Sequence, residues 1–382
     1  MCEPQTKKPS QTNEYQQHPT RPFLQCFELI LPWLTPEEIA NVSLTSKSLN
    51  QISKPITLRR SSDASRSFEN LPIPFHNTVD DHPYAYFLYT PSQLFPTSSS
   101  SQPHRQSWGS AKPSSESRLS AEQVSLVDES GHIVSGCDCE SCDYDSEDQD
   151  GCPCFYELNG SDMASECGPS CGCELECGNR LTQRGVSVKL KIVRDSRKGW
   201  SLYADQFIQK AQFVCEYAGE LLTTKEATKR QHMYDKLSSD GNFASALLVL
   251  REHLPSGKAC MRINIDATRI GNVARFINHS CDGGNLLTKL VRSSGALLPR
   301  LCFFASRDIE ENEELGFSYG EIRLRSNGLQ CFCGSLLLLW NIAFRTYLVL
   351  LSFGSDSCYV LWPFNLRAML ILYALQKKLR LQ

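Results

Sequence analysis

Apolar positions along the chain change period several times, and each change marks a segment. Between residues 21 and 60, Phe27, Ile30, Leu31 and Leu34, then Ile39, Val42 and Leu49, recur near helical spacing. Thr35-Pro36-Glu37-Glu38 supplies an N-cap, a first-turn proline and two acids favoured by the helix dipole. From Leu71 to Phe95 prolines and aromatics follow one another without a period. Residues 96–125 hold 11 serines, which predicts a flexible linker. Residues 186–320 alternate short β-type runs (VSVKLKIV, QFVCEYAG, MRINIDAT, RLCFFAS, ELGFSYG) with turns and one helical stretch near 224–237. Residues 336–382 are foreign to the rest, with 31 of 47 positions apolar and 14 of them leucine. The pattern predicts an α+β protein whose main body is strand-rich.

Charge changes this picture little. Thirty-nine Lys and Arg against 42 Asp and Glu leave a net charge of −3, with no global pull towards nucleic acid or membrane. No direct nucleic-acid binding is expected. The N-terminus lacks the apolar core of a secretion signal, so the 18 cysteines are expected in a reducing compartment.

The cysteines change the picture most, because nine of them fall between Cys137 and Cys177. Cys137, Cys139 and Cys142 are followed by Cys152 and Cys154, then by Cys167, Cys171, Cys173 and Cys177. Pairs one to three residues apart can place two thiolates on one tetrahedral ion. Nine sulfurs suit neither two nor three independent four-cysteine sites. Three zinc ions need about twelve bonds, which six terminal and three bridging sulfurs supply. A compact trinuclear cluster fits. Saturated sulfur ligation leaves no place for water, so the role is structural.

The run ECGPSCGCELECGNRLTQRG, preceded by CDCESC and CPC, resembles the pre-SET zinc region of SET-domain histone-lysine methyltransferases. The likeness continues through KGWSLYA, FVCEYAGE, NIDATRIGNVARFINHSCDGGN and LGFSYG, and stops at CFCG. It is closest to the suppressor-of-variegation class, which modifies lysine 9 of histone H3. The resemblance implies a strand-rich SET domain with a pseudoknot, preceded by a zinc cluster and a small N-terminal helical unit. It implies S-adenosylmethionine as methyl donor, the histone H3 tail as partner, di- or trimethylation as outcome, and a nuclear, chromatin-bound location.

The resemblance also assigns residues. Lys198, Gly199 and Trp200 form the turn used for S-adenosylmethionine, and glycine there allows close backbone approach. Asn278 and His279, with Arg275 as a neighbour, bind the same donor. Tyr319 matches the catalytic tyrosine, Tyr217 a second active-site tyrosine, and Phe317 the aromatic position that leaves room for more than one methyl. Such chemistry needs a narrow aromatic channel that strips a proton from lysine, whose free pKa is about 10.4, and holds nitrogen, carbon and sulfur in line. The acidic run Glu310–Glu314 reads as a solvated hairpin turn.

Two ends of the chain depart from the family. A post-SET zinc site needs the cysteine of NHSC plus C-x-C-x4-C; Cys281, Cys331 and Cys333 are present, but SLLLLWNIAF replaces the third post-SET cysteine. Three sulfurs leave a fourth zinc site incomplete and put activity in doubt, with a catalytically impaired chromatin-binding protein as the alternative. The tail could span about 27 Å as a helix, yet Arg345 lies mid-segment at a cost of roughly 2.5–3.5 kcal/mol, so a replaced C-terminus is preferred to a membrane span. At the other end, FELILPWLTPEEIANVSLTSKSLNQI resembles an F-box, which would recruit a Skp-type adaptor of a ubiquitin ligase. The expected organisation is therefore residues 1–20 without structure, 21–60 helical and F-box-like, 61–130 a Ser/Pro-rich linker, 131–185 pre-SET zinc cluster, 186–320 SET domain, 321–335 partial post-SET and 336–382 hydrophobic tail.

Overall fold

The computed structural model describes residues 20–95, 163–238, 245–253 and 260–319, with scattered positions between 106 and 154, residue 243, and residues 332–334. The chain divides into two compact units, 1–332 and 333–382. The second lies almost wholly outside the described residues, and so do the expectations for residues 1–19 and for the hydrophobic tail. No helix among the described residues is long and apolar enough to cross a membrane.

The N-terminal helical unit starts with α1 (Thr20–Ile30), followed by a short 3-10 turn at Leu31–Trp33. Thr35 then caps α2 (Pro36–Thr45): its hydroxyl accepts from the Glu38 amide at 3.3 Å, and the Glu38 carboxylate accepts from the Thr35 amide at 2.8 Å. That reciprocal box satisfies two helix-end donors. Ser46 repeats the cap for α3 (Lys47–Ser62) by accepting from the Leu49 amide. Leu31, Ile39 and Ile56 are buried between the helices, packed by Phe27, Leu34, Val42 and Ile52. Arg60 is fully buried and fastens this unit downward: Nη2 donates to the carbonyls of Pro32 (3.1 Å) and Leu34 (2.6 Å), and Nη1 to the Tyr84 hydroxyl (3.0 Å).

The expected linker is structural over its first half. Strand β1 (Phe75–His76) pairs in parallel with β4 (Leu190–Asp195), and β2 (Leu88–Tyr89) with β9 (Cys260–Gly271). Ile73, Phe75, Phe87 and Tyr89 are buried in the main core. Even the serine-rich stretch sends Gln106 to both backbone groups of Tyr89 and buries Trp108 at 4.1 Å from the Arg66 guanidinium. Two-residue strands are too short to show a period, so prolines and aromatics read as irregular although their side chains fill the core.

The main body is strand-rich, as the sequence pattern predicts. β4 turns back on β5 (Gly199–Ala204), giving the sheet β1-β4-β5. A second sheet runs β3 (Met163–Glu166), β11 (Leu286–Ser293), β12 (Arg300–Ala305), β6 (Phe213–Glu216). A third is β2-β9-β7 (Gly219–Leu222), with β8 (Leu247–His253) also paired to β9. β3, β8 and β11 lie outside the predicted β runs. Helix α4 (Thr224–Ser238) falls where the 224–237 period placed it. Last, β10 (Asn278–His279) lies parallel to β13 (Gly316–Phe317), which brings two distant stretches of chain side by side; this pairing is the local element behind the expected pseudoknot. Gly284 is required there: its φ is +72° and a Cβ would stand 2.2 Å from the Gly316 carbonyl oxygen.

Candidate functional site

The β10–β13 pair decides what meets at the site. Tyr319, just past β13, donates its hydroxyl to the Ile277 carbonyl at 2.6 Å, and its amide donates to His279 Nδ1 at 3.1 Å. The Phe317 ring lies 4.8 Å from Tyr319 on one side and 4.8 Å from Phe303 on the other. Tyr217 stands 6.4 Å from Phe303 and donates to the Ala246 carbonyl at 2.9 Å. Burial pushes the Tyr217 phenol well above its ordinary pKa, with the Tyr319 side chain adding to the effect, so it stays a neutral donor. The three residues expected to carry methyl transfer thus form one aromatic cluster. Phe317 is buried at its centre, whereas Tyr319 is 56% exposed at its mouth.

Next to this cluster lies a polar chain. Asn278 Nδ2 donates to the Ser201 hydroxyl (2.6 Å) and to Glu314 Oε1 (3.2 Å), while Lys198 Nζ donates to Glu314 Oε2 at 2.5 Å. Burial opposes the Lys198 charge, but Glu314 outweighs it and holds the ammonium above its ordinary pKa. Gly199 takes φ +83°, the left-handed backbone that favours glycine, in a turn tightened by Asp195 Oδ1, which accepts from the Arg197 and Lys198 amides. Trp200 packs edge-on to Phe75 at 5.3 Å, with the Arg194 guanidinium 5.3 Å from its ring. Burial lowers the His279 imidazole, keeping it neutral near pH 7, and Cys281 Sγ sits 3.3 Å from its Nε2.

Of the residues expected to hold the donor, Lys198 and Asn278 therefore meet at Glu314, Gly199 and Trp200 follow Lys198 directly in the chain, and His279 turns to Tyr319 and Cys281. Arg275 differs. Its guanidinium stacks over Phe87 at 4.9 Å and Phe276 at 5.2 Å, and burial pulls its pKa down to about 10. Its contacts are those of a buttress beneath the site.

Glu314 and Ser201 escaped the motif reading. Glu314 belongs to the acidic run read as a solvated turn. The run is split: Glu310 and Glu311 are exposed, but Glu313 accepts from Asn285 at 2.8 Å and pairs with Arg307, and Glu314 faces inward. The signal available was the lone Lys198 upstream, which needed a carboxylate once half-buried.

The nine clustered cysteines form a second centre with little regular structure. Sγ atoms of Cys137 and Cys142 lie 3.7 Å apart, Cys137 and Cys167 3.8 Å, Cys142 and Cys167 3.7 Å, Cys152 and Cys167 4.0 Å, and Cys154 and Cys171 3.5 Å. Four thiolates at about 2.3 Å from one ion stand about 3.8 Å apart, the edge of that tetrahedron. Three overlapping groups share Cys137 and take in Cys139, Cys142, Cys152, Cys154, Cys167 and Cys173; Cys171 and Cys177 pack against the same cluster. The donor set fits metal ions. Asn179 donates to Cys167 Sγ at 3.4 Å, and Arg180 to Cys173 Sγ at 3.6 Å. Burial raises the Cys173 thiol, but the Arg180 hydrogen bond and neighbouring thiols outweigh it and bring it down to about 7. Of the expected fourth site, Cys281 is half-buried beside His279, Cys333 belongs to the second unit and Cys331 lies outside the described residues.

The SET domain model matches residues 199–320. Histone-lysine N-methyltransferase SUVR3 of Arabidopsis thaliana is 59% identical over 332 residues, covering 84% of this chain and 91% of its own. Among solved structures, the methyltransferase domain of human histone-lysine N-methyltransferase SETMAR superposes with a TM-score of 0.51 at 27% identity, covering 72% of this chain and 95% of that one. Arabidopsis thaliana SUVH6 in complex with SAM superposes at 0.52 with 25% identity, covering 72% and 54%. By its SET fold, its motifs in order and this extent of identity, the chain belongs to the SET-domain histone-lysine N-methyltransferases.

Proposed function

We propose that this chain transfers methyl groups from S-adenosylmethionine to a lysine of histone H3, at the lysine-9 position, and carries it to the di- or trimethyl state on chromatin in the nucleus. The observation that carries the reading is the aromatic cluster of Tyr217, Phe317 and Tyr319 beside the polar chain through Glu314. Lys198, Gly199, Trp200, Asn278 and His279 would hold the donor, which supplies a methyl carbon on a sulfonium. SUVH6, solved with SAM, supports that assignment.

Each side chain then has a task. Tyr319 is anchored through its hydroxyl to the Ile277 carbonyl, so one oxygen lone pair and one carbonyl can face an incoming amine. The lysine must lose its proton to water before attack, because its free pKa of about 10.4 leaves it charged near neutrality. Tyr217, neutral and bonded to Ala246, adds a fixed dipole without competing as a base. Phe317 has no hydroxyl, so the end of the channel holds no bound water there and accepts a bulkier, already methylated amine. The cysteine centre would hold three zinc ions as a rigid platform. Lysine 9 as target rests on the pre-SET cysteine pattern.

A methyltransferase assay on histone H3 peptides tests the reading, with product states counted by mass spectrometry. Di- or trimethylated lysine 9 is expected from the wild type and near-background signal from Tyr319→Phe. Equal signal from both proteins removes the site assignment, and monomethyl product alone removes the product state.

The helical unit supports a second activity, docking of a Skp-type adaptor. Phe23, Leu29, Trp33, Leu44 and Leu58 are exposed on this unit, apolar side chains that a docked adaptor would cover. Co-purification with the adaptor, lost in Leu29→Glu/Leu44→Glu, is expected; an unchanged complex or none at all sinks this reading.

A further inference from the structure

Helix α4 turns two different faces to its surroundings. Inward, Ala227 and Tyr234 are buried, Arg230 donates to Glu220 at 2.7 Å and Asp266 at 2.8 Å, and the Tyr234 hydroxyl donates to Asp266. Outward, Lys225, Lys229, His232 and Lys236 are all exposed. Their spacing of four, three and four puts them within about 60° of the helix circumference and over about 16 Å of its length. With Thr228 and Met233 they line an open hollow of about 530 Å³.

The adjoining hairpin adds charge on the same side. β8 and β9 pair so that Arg251 stands directly opposite Arg262, and both are exposed. Like charges at directly opposed positions repel, a placement that a bound anion would relieve. Arg262 alternates with Asn264 and Asp266 onto one face, and Asp266 is the residue that grips α4. β7 hands the chain over at Leu222, opposite Asn264, so α4 begins at the end of the hairpin that carries the two arginines. Glu226 serves Arg230 at 3.5 Å as well as Lys229 at 3.8 Å, and Asp235 accepts from Gln231. A chain with net charge −3 thus carries five exposed basic side chains and a histidine on α4 and the adjoining hairpin.

We propose that this face binds the phosphate backbone of double-stranded DNA, the DNA that carries the histone substrate. The choice of polyanion rests on the histone methyltransferase reading above; the charge pattern does not. Along about 16 Å of duplex each strand offers about five phosphates, a row that the lysine stripe can follow. Lysine ammoniums are point charges on flexible stems, so the contact positions the enzyme without reading sequence.

Fluorescence anisotropy of a labelled 20-base-pair duplex with the full-length protein, titrated between 50 and 200 mM salt, tests it. In K225Q/K229Q/K236Q the slope of log affinity against log salt is expected to become shallower by about 2.7, with affinity at least ~tenfold lower at 100 mM. R251Q/R262Q is expected to lose a smaller amount in the same direction, and the lysine-to-arginine triple variant to bind as wild type. All variants keep wild-type methylation of an H3 peptide but methylate nucleosomes more slowly. Equal duplex binding by wild type and the glutamine triple variant overturns the proposal, as does wild type failing to bind. Competition by polyglutamate as effective as by unlabelled duplex overturns it in favour of an acidic protein partner. Charge-dependent duplex binding by a wild type that methylates no peptide would sink the methyltransferase reading and leave this one standing.

Discussion

The cysteine centre and the aromatic site around Tyr319 are both built from segments with little regular structure, yet opposite means hold them. Around the cysteines, sulfurs stand at the edge length of a metal tetrahedron and the backbone follows them. Around Tyr319, the short β10–β13 pair and stacked rings impose the geometry. The first is a chemical solution, written in the spacing of one residue type. The second is a packing solution, assembled from residues far apart in the chain. The two should therefore fail differently.

Metal removal is expected to give the largest effect. Structural zinc in small domains contributes apparent free energies on the order of 10 kcal/mol. Cys137→Ser, which breaks all three overlapping groups, should drop the bound metal measured by plasma mass spectrometry and unfold the pre-SET region. Full metal content in that variant would break the comparison. Phe87→Ala comes next, at a cost of about 3–5 kcal/mol. The ring packs on Phe276 at 5.5 Å and under Arg275, so a large fall in melting temperature with metal content intact would show packing failing by itself. A neutral result would return residues 63–95 to the status of a linker.

Smaller effects belong to the site itself. Tyr319→Phe should lower kcat on an H3 peptide about a hundredfold, roughly 2.7 kcal/mol, with little change in melting temperature. Glu314→Gln removes the anion shared by Lys198 and Asn278 and should raise the KM for S-adenosylmethionine by about tenfold or less, with kcat nearly unchanged. A kcat loss matching that of Tyr319→Phe would instead place Glu314 in the chemical step. The smallest energetic change is Phe317→Tyr, expected to shift the product towards monomethyl lysine at near-normal initial rate, as read by mass spectrometry.

Much of the site was legible in sequence, for physical reasons particular to each motif. The nine cysteines announce themselves because thiolates on one ion must lie close, and close spacing along the chain is the cheapest way to achieve it. Gly199 is visible because its turn needs a residue tolerant of positive φ, whereas the need for glycine at 284 appears only once β13 lies against it. Thr35 and Glu38 fold as a capping box because that contact is local. Glu314 was misread with its acidic neighbours because its partners, Lys198 and Asn278, lie 116 and 36 positions away. The segment around β1 and β2 was misread because its pairing partners, β4 and β9, lie more than a hundred residues downstream.

The same division holds for charge. A balance near neutrality is a property of the whole sequence, and it says nothing of where along the surface the charges gather. The stripe on α4 and the Arg251–Arg262 pair become neighbours only when β7 hands the chain to α4 beside the β8–β9 hairpin. By itself, then, the sequence determined the family, a cysteine spacing that suits metal ions, and the local caps and turns, each carried by short motifs. Only the tertiary structure decided that residues 63–95 belong to the core, that Arg275 is a buttress and Glu314 a hub, and which surface gathers the positive charge. Those depend on long-range pairing, whose partners no local pattern can name.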